Sequence, residues 1–308
     1  MSQNIMINKS HIADTSTNSS FIYPLKSDMT LTADDKIAIS KLNIFYAWYN
    51  VSAKYNNNKF NILWWDDAGD LTVNYSFVLA DGYYTIDKIN EALILFMTQN
   101  GLFLYSTVSG TNLYLIEIRA NSVTYSLEIV YESMSQMYSD GSAAPKIYDG
   151  SPETGGYGFA TPTGWVPPPS TYEIPQVIIS STNSFGKLIG FSAGATIPLN
   201  PPTGATTVGQ TYSVASDFTP QMEPSSSFFL TCNLSNNKYG APSTLMDSFT
   251  LTSTALFGMM MSPLSSEKTY SHCQPGTYNQ VEINIYDQDF NALQLLDPNV
   301  LIIVSIMT

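Results

Sequence analysis

Apolar and polar residues alternate one by one over several stretches of this chain, and this alternation restricts the fold more than any other feature of the sequence. Between residues 277 and 287, Val281, Ile283 and Ile285 alternate with polar or aromatic neighbours. In residues 73–77, apolar or aromatic residues alternate with polar ones in the same way. Successive side chains of a β-strand point to opposite faces of a sheet, whereas a helix repeats about every 3.6 residues. The alternation therefore predicts half-buried strands and an all-β protein.

The charge content also favours a sheet protein over a helical one. Only 12% of the 308 residues are charged, while 13% are aromatic and 44% are hydrophobic. Amphipathic helices need many Lys and Glu residues on their exposed faces, and this chain lacks them. The hydrophobic fraction is sufficient for a buried core, and the length fits one large β domain or two smaller ones.

One segment has the period of a helix instead. Between residues 86 and 97 the apolar residues recur at helical spacing, and Thr85 precedes them as a candidate N-cap. Asn100 and Gly101 follow as a stop signal, because glycine adopts the left-handed conformation that ends many helices. We expect this helix to cover one end or one edge of a sheet.

Strands separated by turns predict the architecture. Further predicted strands lie at residues 41–52, 60–65, 122–130, 228–234, 253–261 and 298–306. The last of these is almost entirely apolar, so we expect it to be buried on both faces or to lie between two neighbouring strands. Many short strands, one short helix and large loops together predict an all-β jelly-roll sandwich.

The domain organisation follows from changes in composition. Residues 1–28 are rich in Ser, Asn and Thr, and we expect them to form a flexible N-terminal arm. A jelly-roll domain is predicted for residues 29–308. Within it, a variable loop insertion is expected at about residues 134–175, where Gly and Pro are frequent.

The net charge argues against nucleic-acid binding. The chain carries a formal charge of −13, and Arg119 is its one arginine. Binding to DNA or RNA draws most of its affinity from cationic side chains on phosphates. We therefore expect no specific nucleic acid as a partner.

Two cysteines, Cys232 and Cys273, are too few for a disulfide framework. Free thiols packed as small apolar groups are favoured over a disulfide between them, which indicates folding in a reducing compartment. Residues 1–20 lack the apolar core of a signal peptide, and no apolar run is long enough to span a membrane. We expect a soluble protein made in the cytosol.

The residues that usually carry catalysis are scarce. His11 falls in the predicted arm, and His272 is followed directly by Cys273. Neighbouring residues of a strand point to opposite faces, so these two should not form a nucleophile–base pair. No zinc-binding spacing and no phosphate-binding motif is found. The sequence therefore predicts no catalytic, cofactor-binding or metal-binding residue and no enzymatic activity.

Two groups of carboxylates and one group of aromatic residues allow other interpretations. The carboxylates could bind Ca²⁺, but Asp beside Gly and Asn also forms ordinary turns, and turns are favoured. The aromatic group could be a carbohydrate platform, but core packing and subunit contacts are favoured. The residues concerned are Asp66, Asp67 and Asp70, then Asp287, Asp289 and Asp297, and finally Tyr46, Trp48, Tyr49, Trp64 and Trp65.

Several motifs resemble a known family. They are AWYNVS at 47–52, YNNNKF at 55–60, LADGYYTIDKIN at 79–90, FLTCNLSNNKY at 229–239, GTYNQVEINIYDQD at 276–289 and LDP at 296–298. In their order and spacing these motifs resemble the penton, or minor capsid, proteins of virophages and Polinton-like viruses. The resemblance covers both ends of the chain from about residue 42 and is weak from about 134 to 215.

This resemblance implies a structural role. A penton protein would form homopentamers at the fivefold vertices of an icosahedral particle, beside a double-jelly-roll major capsid protein. It would be synthesised in the host cytoplasm and located in the virion, where a fibre or a receptor is a further partner to consider. Two alternatives stay open: a carbohydrate- or receptor-binding β-sandwich, and a β-sandwich hydrolase with acidic catalytic residues.

Overall fold

The strands of the chain belong to two units, each with its own sheets. The computed structural model describes residues 2–10, 12–13, 19–66, 70–106, 110–132, 159–160, 162, 174–201, 211–223, 225, 227–251, 255–263, 268–293, 295–297 and 299–308. Unit 1 comprises Met1–Tyr49 and Ser225–Thr308, and unit 2 comprises Asn50–Pro224. Unit 2 is therefore an insertion in the sequence of unit 1.

The elements are numbered in chain order. The first part of unit 1 contains β1 (Ser2–Asn8), β2 (Ser20–Leu31) and β3 (Lys36–Phe45). Unit 2 contains β4 (Lys59–Trp65), β5 (Leu71–Val78), α1 (Ile86–Gln99), β6 (Leu104–Ser106), β7 (Asn112–Leu113), β8 (Ile116–Asn121), β9 (Ser126–Glu132), β10 (Phe159–Ala160), β11 (Gln176–Ile178), α2 (Phe185–Ile189), β12 (Thr196–Ile197) and β13 (Thr211–Ala215). The second part of unit 1 contains β14 (Ser227–Cys232), β15 (Leu245–Thr250), β16 (Met260–Met261), β17 (Ser271–His272), β18 (Gly276–Asp287) and β19 (Leu301–Met307).

Unit 1 is a jelly roll. Its sheets have the strand orders β1-β19-β3-β16, with β17 also beside β3, and β15-β14-β18-β2. Because β16 and β17 pair with the two ends of β3, they act as one interrupted strand. Counted in this way, the first strand pairs with the last, the second with the second-last, and so on inward to β14 and β15. This antiparallel nesting is that of a long hairpin rolled into two sheets, which confirms the predicted jelly-roll class.

The strongest strand predictions are confirmed in unit 1. Along β18, Val281, Ile283 and Ile285 are each buried, while the residues between them are only partly buried. The apolar strand at the end of the chain, β19, lies between β1 and β3, with both as antiparallel neighbours. Its central position explains why nearly every residue in it is apolar.

The N-terminal segment differs from the flexible arm predicted for residues 1–28. Residues 2–8 form β1, and residues 20–28 belong to β2, which pairs with β18. Both are edge strands, and an edge strand of a sandwich needs apolar residues on one face only. Phe21 and Ile7 supply that buried face, while the polar residues between them resemble a disordered leader in composition. The chain also divides into two units where one domain was predicted for residues 29–308.

The described residues of unit 2 form three small antiparallel sheets around one apolar core. Their strand orders are β12-β11-β4-β5, β13-β9-β8 and β10-β6-β7. Tyr131 on β9 donates its hydroxyl hydrogen to the carbonyl oxygen of Ile197 on β12, at 2.6 Å, and so joins two of these sheets. The Phe60 ring packs in the core between those of Phe77 and Phe185, with ring centroids 4.8 Å apart in each pair and the rings tilted.

The predicted helix is confirmed as α1. Thr85 is its N-cap and accepts a hydrogen bond from the Lys88 amide, and Gly101 after its end has a φ of 68°. The Asn90 side chain accepts from the Ile118 amide at 2.9 Å and donates to the Ile118 carbonyl at 2.7 Å. The helix thereby covers the edge of β8, as expected. No helix in the described part of the chain has the length and apolar character needed to cross a membrane.

The two ends of unit 2 are tied together by a buried asparagine. Asn50 donates its side-chain N–H groups to the carbonyl oxygens of Tyr84 and Met222, at 2.8 and 2.9 Å, and accepts from the Tyr84 amide at 2.8 Å. Asn57 donates in turn to the Asn50 carbonyl at 2.8 Å. Because Asn50 begins the unit and Met222 lies near its end, these bonds keep entry and exit close, as an inserted domain requires.

Some predicted strand limits were wrong. The strand predicted for 41–52 ends at Phe45. The strand predicted for 122–130 begins at Ser126, because the Asn121 side chain accepts from the Val123 and Thr124 amides and closes a turn. Of the loop insertion predicted for about 134–175, all but residues 159–160, 162 and 174–175 lie outside the described residues.

We predict that Ile283→Ala lowers the free energy of unfolding by about 2–5 kcal/mol, because it leaves a cavity in the centre of the sandwich. Gln280→Ala, at an exposed position of the same strand, is the matched control and should change it by less than about 0.5 kcal/mol. Urea denaturation followed by circular dichroism measures both. Equal effects of the two variants would contradict the assignment of faces in β18.

Candidate assembly surface

An exposed apolar surface lies at one edge of the jelly roll. Four side chains that precede or form β16 are unusually exposed: Leu256 is 65% exposed, Phe257 41%, Met259 50% and Met260 61%. We call these four residues the methionine patch. Residues 255–263 include no charged side chain. Consecutive exposed apolar residues of this kind mark interaction sites in natural proteins.

The methionine patch is held by backbone hydrogen bonds. Met259 N donates to the Leu256 carbonyl at 3.0 Å, and Gly258 between them has a φ of 85°, which glycine adopts without strain. Gly258 N donates to the Tyr46 carbonyl at 2.7 Å, and Tyr46 N donates to the Met259 carbonyl at 2.8 Å. The Phe257 ring lies 6.1 Å from the Tyr46 ring. The patch is thus presented on a turn that is bonded to the end of β3.

The opposite edge of the same sheet is formed by β1. This strand pairs with β19 over seven consecutive residues without a bulge, and it has no charged residue and no proline. Edge strands are usually protected by Lys, Pro, bulges or short length. One edge of the other sheet, β2, shows such protection, because it contains Pro24 and Lys26 and its pairing with β18 is interrupted. The β1 edge is therefore the open one of the two.

A cleft lies beside the β1 edge. It has a volume of about 690 Å³, and residues of β1 and β2 line it. Apolar side chains in its lining are Ile5, Met6, Tyr23, Leu25 and Met29, and its charged side chains are Lys26 and Asp28. The two charges are opposite in sign, so the cleft adds no net charge to an acidic chain.

Four of the five aromatic residues considered for a carbohydrate platform are buried, and Tyr49 is partly buried. Trp64 is 0% exposed and Trp65 is 1% exposed, with their ring centroids 5.0 Å apart in the core of unit 2. Trp48 is also buried, in unit 1, with its ring 4.9 Å from that of Phe228. A buried indole cannot stack on a sugar, and the favoured interpretation of these residues as core packing is confirmed.

The two cysteines are free and buried. Burial, with smaller contributions from the neighbouring Cys273 and Glu282, raises the pKa of the Cys232 thiol to about 12. Burial also raises the pKa of the Cys273 thiol to about 11, with a contribution from Asp35. His272 is exposed, and its Nδ1 lies 3.1 Å from the Ala33 carbonyl oxygen. Cys273 is thus a buried, protonated thiol, while the preceding histidine is engaged elsewhere; His11 lies outside the described residues.

The carboxylates form turns. Asp287 Oδ1 accepts from the amides of Asp289 and Asn291, each at 2.9 Å, and Asp66 Oδ2 accepts from the Thr72 hydroxyl at 2.6 Å. Asp297 caps the Asn299 amide in the same way, and Asp67 lies outside the described residues. Within the described ranges, no three side chains of His, Cys, Asp or Glu come together in a group that could hold a metal ion.

The apolar run that forms the methionine patch is visible in the sequence, where it predicts a strand over residues 253–261. Residues 255–261 are almost uniformly apolar, without the alternation that marks a half-buried strand. A uniform apolar run is typical of a strand buried on both faces, and here only Met260 and Met261 are in a strand. Burial cannot be read from such a run, because exposure depends on which neighbours the sheet places beside it.

The chain is similar to the crystal structure of the SeMet-labeled mavirus penton protein, with 10% sequence identity over 99% of this chain and 97% of that chain and a TM-score of 0.44. It is also similar to a chain in the 3.5 Å cryo-EM structure of the Sputnik virophage, with 10% identity, the same coverage and a TM-score of 0.36.

No protein-family profile matches the chain, and no curated protein matches it. The mavirus structure is a penton protein, which is the class that the sequence motifs resemble. Because both TM-scores are below 0.5, the jelly-roll assignment rests on the strand pairing of unit 1 and not on these likenesses.

We predict that neither cysteine reacts with a thiol-specific disulfide reagent at about pH 8 while the protein is folded, because the thiolate is the reactive form and burial keeps both thiols protonated. Both should react after unfolding in denaturant. Tyr239→Cys, at a fully exposed position, is the control and should add one reactive thiol. Rapid native-state reaction of Cys232 or Cys273 would contradict the burial of the pair.

Proposed function

We propose that this chain is a non-enzymatic capsid protein, a penton that assembles into rings of five copies at the vertices of an icosahedral particle. The observation that carries the proposal is the methionine patch, an exposed and uncharged apolar surface at a sheet edge of a jelly roll. Jelly rolls occur in viral capsid proteins and lectins, so the fold is compatible with this role without establishing it.

The charge distribution supports assembly with copies of the same chain. Each copy carries a formal charge of −13, so two copies repel one another at long range. Association then requires contact surfaces on which like charges are not brought together. The methionine patch and the β1 edge are both uncharged, and burial of their apolar side chains supplies a favourable free energy of about 25 cal/mol per Å².

The motifs of the sequence support the vertex position. Their resemblance to penton proteins of virophages and Polinton-like viruses implies a pentamer with a double-jelly-roll major capsid protein as its neighbour. In this role the chain is made in the host cytoplasm and becomes part of the virion. Of the carboxylates considered above, Asp66, Asp287 and Asp297 lie in turns, and both thiols are buried. Neither group supports the alternative of an acidic hydrolase.

Multi-angle light scattering across a concentration series tests the oligomeric state. We predict a particle of five times the 33.9 kDa mass of one chain. The pentamer fraction should rise when the concentration of ammonium sulfate is increased, because the salt screens the repulsion between acidic copies and also strengthens apolar contacts. A trimer would indicate a major-capsid or fibre-like role instead, and a monomer at every concentration and salt level would contradict ring formation by the isolated chain.

A further inference from the structure

The two cysteines belong to different sheets of the jelly roll. Cys232 is the last residue of β14, in the sheet with the strand order β15-β14-β18-β2. Cys273 follows β17, which pairs with β3 in the other sheet, and its amide donates to the Asp35 carbonyl at 2.8 Å, directly before β3. A bond between the two sulfurs would therefore join the two sheets covalently.

Backbone hydrogen bonds bring the two cysteines to the same end of unit 1. Cys273 lies opposite Ser235 in an antiparallel bridge, which is framed by two amide–carbonyl hydrogen bonds of 2.8 Å. In a pair framed in this way the Cα atoms are about 4.5 Å apart and the side chains point to the same face. The Ser235 amide also donates to the Cys232 carbonyl at 3.1 Å and closes a turn, whose end Cα atoms are less than about 7 Å apart. Both cysteines are thus neighbours of Ser235.

The two thiols face the same interior. Cys232 continues the inward face of β14, on which Phe228 and Leu230 are also 0% exposed. Cys273 is 0% exposed, whereas the residues on either side of it are exposed, so its side chain points inward. Burial raises the pKa of Tyr278, and both thiols contribute to this rise, just as Cys273 contributes to the raised pKa of Cys232. The thiols and this tyrosine form one cluster.

We infer that Cys232 and Cys273 form a redox-sensitive lock, which is open in the reduced chain and closes as a disulfide between the two sheets under oxidising conditions. The lock is a property of the jelly roll and does not depend on the proposed capsid function. Its closed loop contains β15, β16 with the methionine patch, and β17. A disulfide restricts the unfolded chain, and the restriction grows with the length of the loop, so the closed lock stabilises unit 1.

The oxidant is a small disulfide, such as oxidised glutathione. The thiolate of one cysteine attacks it, so that a mixed disulfide forms and one glutathione leaves as a thiolate. The second cysteine then attacks the sulfur of the first and releases the other glutathione. The two cysteines lose two protons and two electrons in total, and one oxidised glutathione becomes two reduced ones. Because both thiols are buried and protonated in the folded chain, the exchange takes place while the chain folds.

Refolding of the full chain in glutathione buffers tests the lock. The reduced chain is diluted from urea into buffers with a rising ratio of oxidised to reduced glutathione, free thiols are then alkylated, and the intact mass is measured. We expect a chain without free thiols and without attached glutathione. The folded chain should reach this state at a ratio about tenfold lower, or more, than the chain kept in urea needs, because folding holds the two thiols together. The urea midpoint of the oxidised protein should exceed that of the reduced protein by about 0.5 M or more.

The matched control keeps two cysteines but moves one of them. The double variant Cys232→Ser, Tyr239→Cys carries its new thiol at a fully exposed position, and we expect it to carry glutathione there with no disulfide to Cys273. If this variant does not fold, the comparison of the oxidised and reduced native chain still decides.

Three results would overturn the lock. The first is free or glutathione-bound thiols in the native chain at every ratio. The second is formation of the disulfide at the same ratio in urea and after folding, because the folded geometry would then contribute nothing. The third is a disulfide that leaves the urea midpoint unchanged or lowers it, because such a bond would not stabilise the sandwich.

Discussion

The structure depends on the antiparallel pairing of the last strand, β19, between β1 and β3. This pairing joins the two ends of the chain, because seven residues of β19 face seven residues of β1. Any segment that leaves the sandwich after β3 must return to begin β14. Unit 2 meets this condition through Asn50, which bonds the carbonyl of Met222 near the exit of the unit. The entropic cost of closing a loop rises only slowly with its length, so a jelly roll tolerates such a large insertion when the insertion folds by itself.

The parts of the fold that could be predicted from sequence are those in which local pattern and tertiary burial agree. The alternation in β18 and the apolar run in β19 predict strands, and the helical spacing with its N-cap predicts α1. The structure has all three elements at these positions. The edge strands β1 and β2 escaped prediction because they bury one face only and otherwise have the composition of a disordered leader. Tyr125 fits the alternation of β9 but lies in a turn with a φ of 52°, because the Asn121 side chain competes for the backbone amides that follow it.

The candidate site was less accessible to sequence analysis than the fold. Catalytic and metal sites leave recognisable spacings, and the turns of Asp66 and Asp287 show why carboxylates in turns can imitate them. The proposed contact surface has no such spacing, because the methionine patch is defined by its place at the edge of a sheet and by the exposure of its side chains. What the sequence does record is the charge pattern: an acidic chain that keeps residues 255–263 and the whole of β1 free of charge. That pattern connects the fold to the proposed assembly.

Cryo-electron microscopy of particles purified from cells that express the full chain together with the coat proteins tests the vertex role most directly. If the chain is a penton, five copies of the two-sheet jelly roll surround each fivefold axis, and the chain is present in the particle at that stoichiometry. If a different polypeptide forms the density at the fivefold axes, and this chain is missing from the purified particle or located away from its vertices, the proposed function is contradicted.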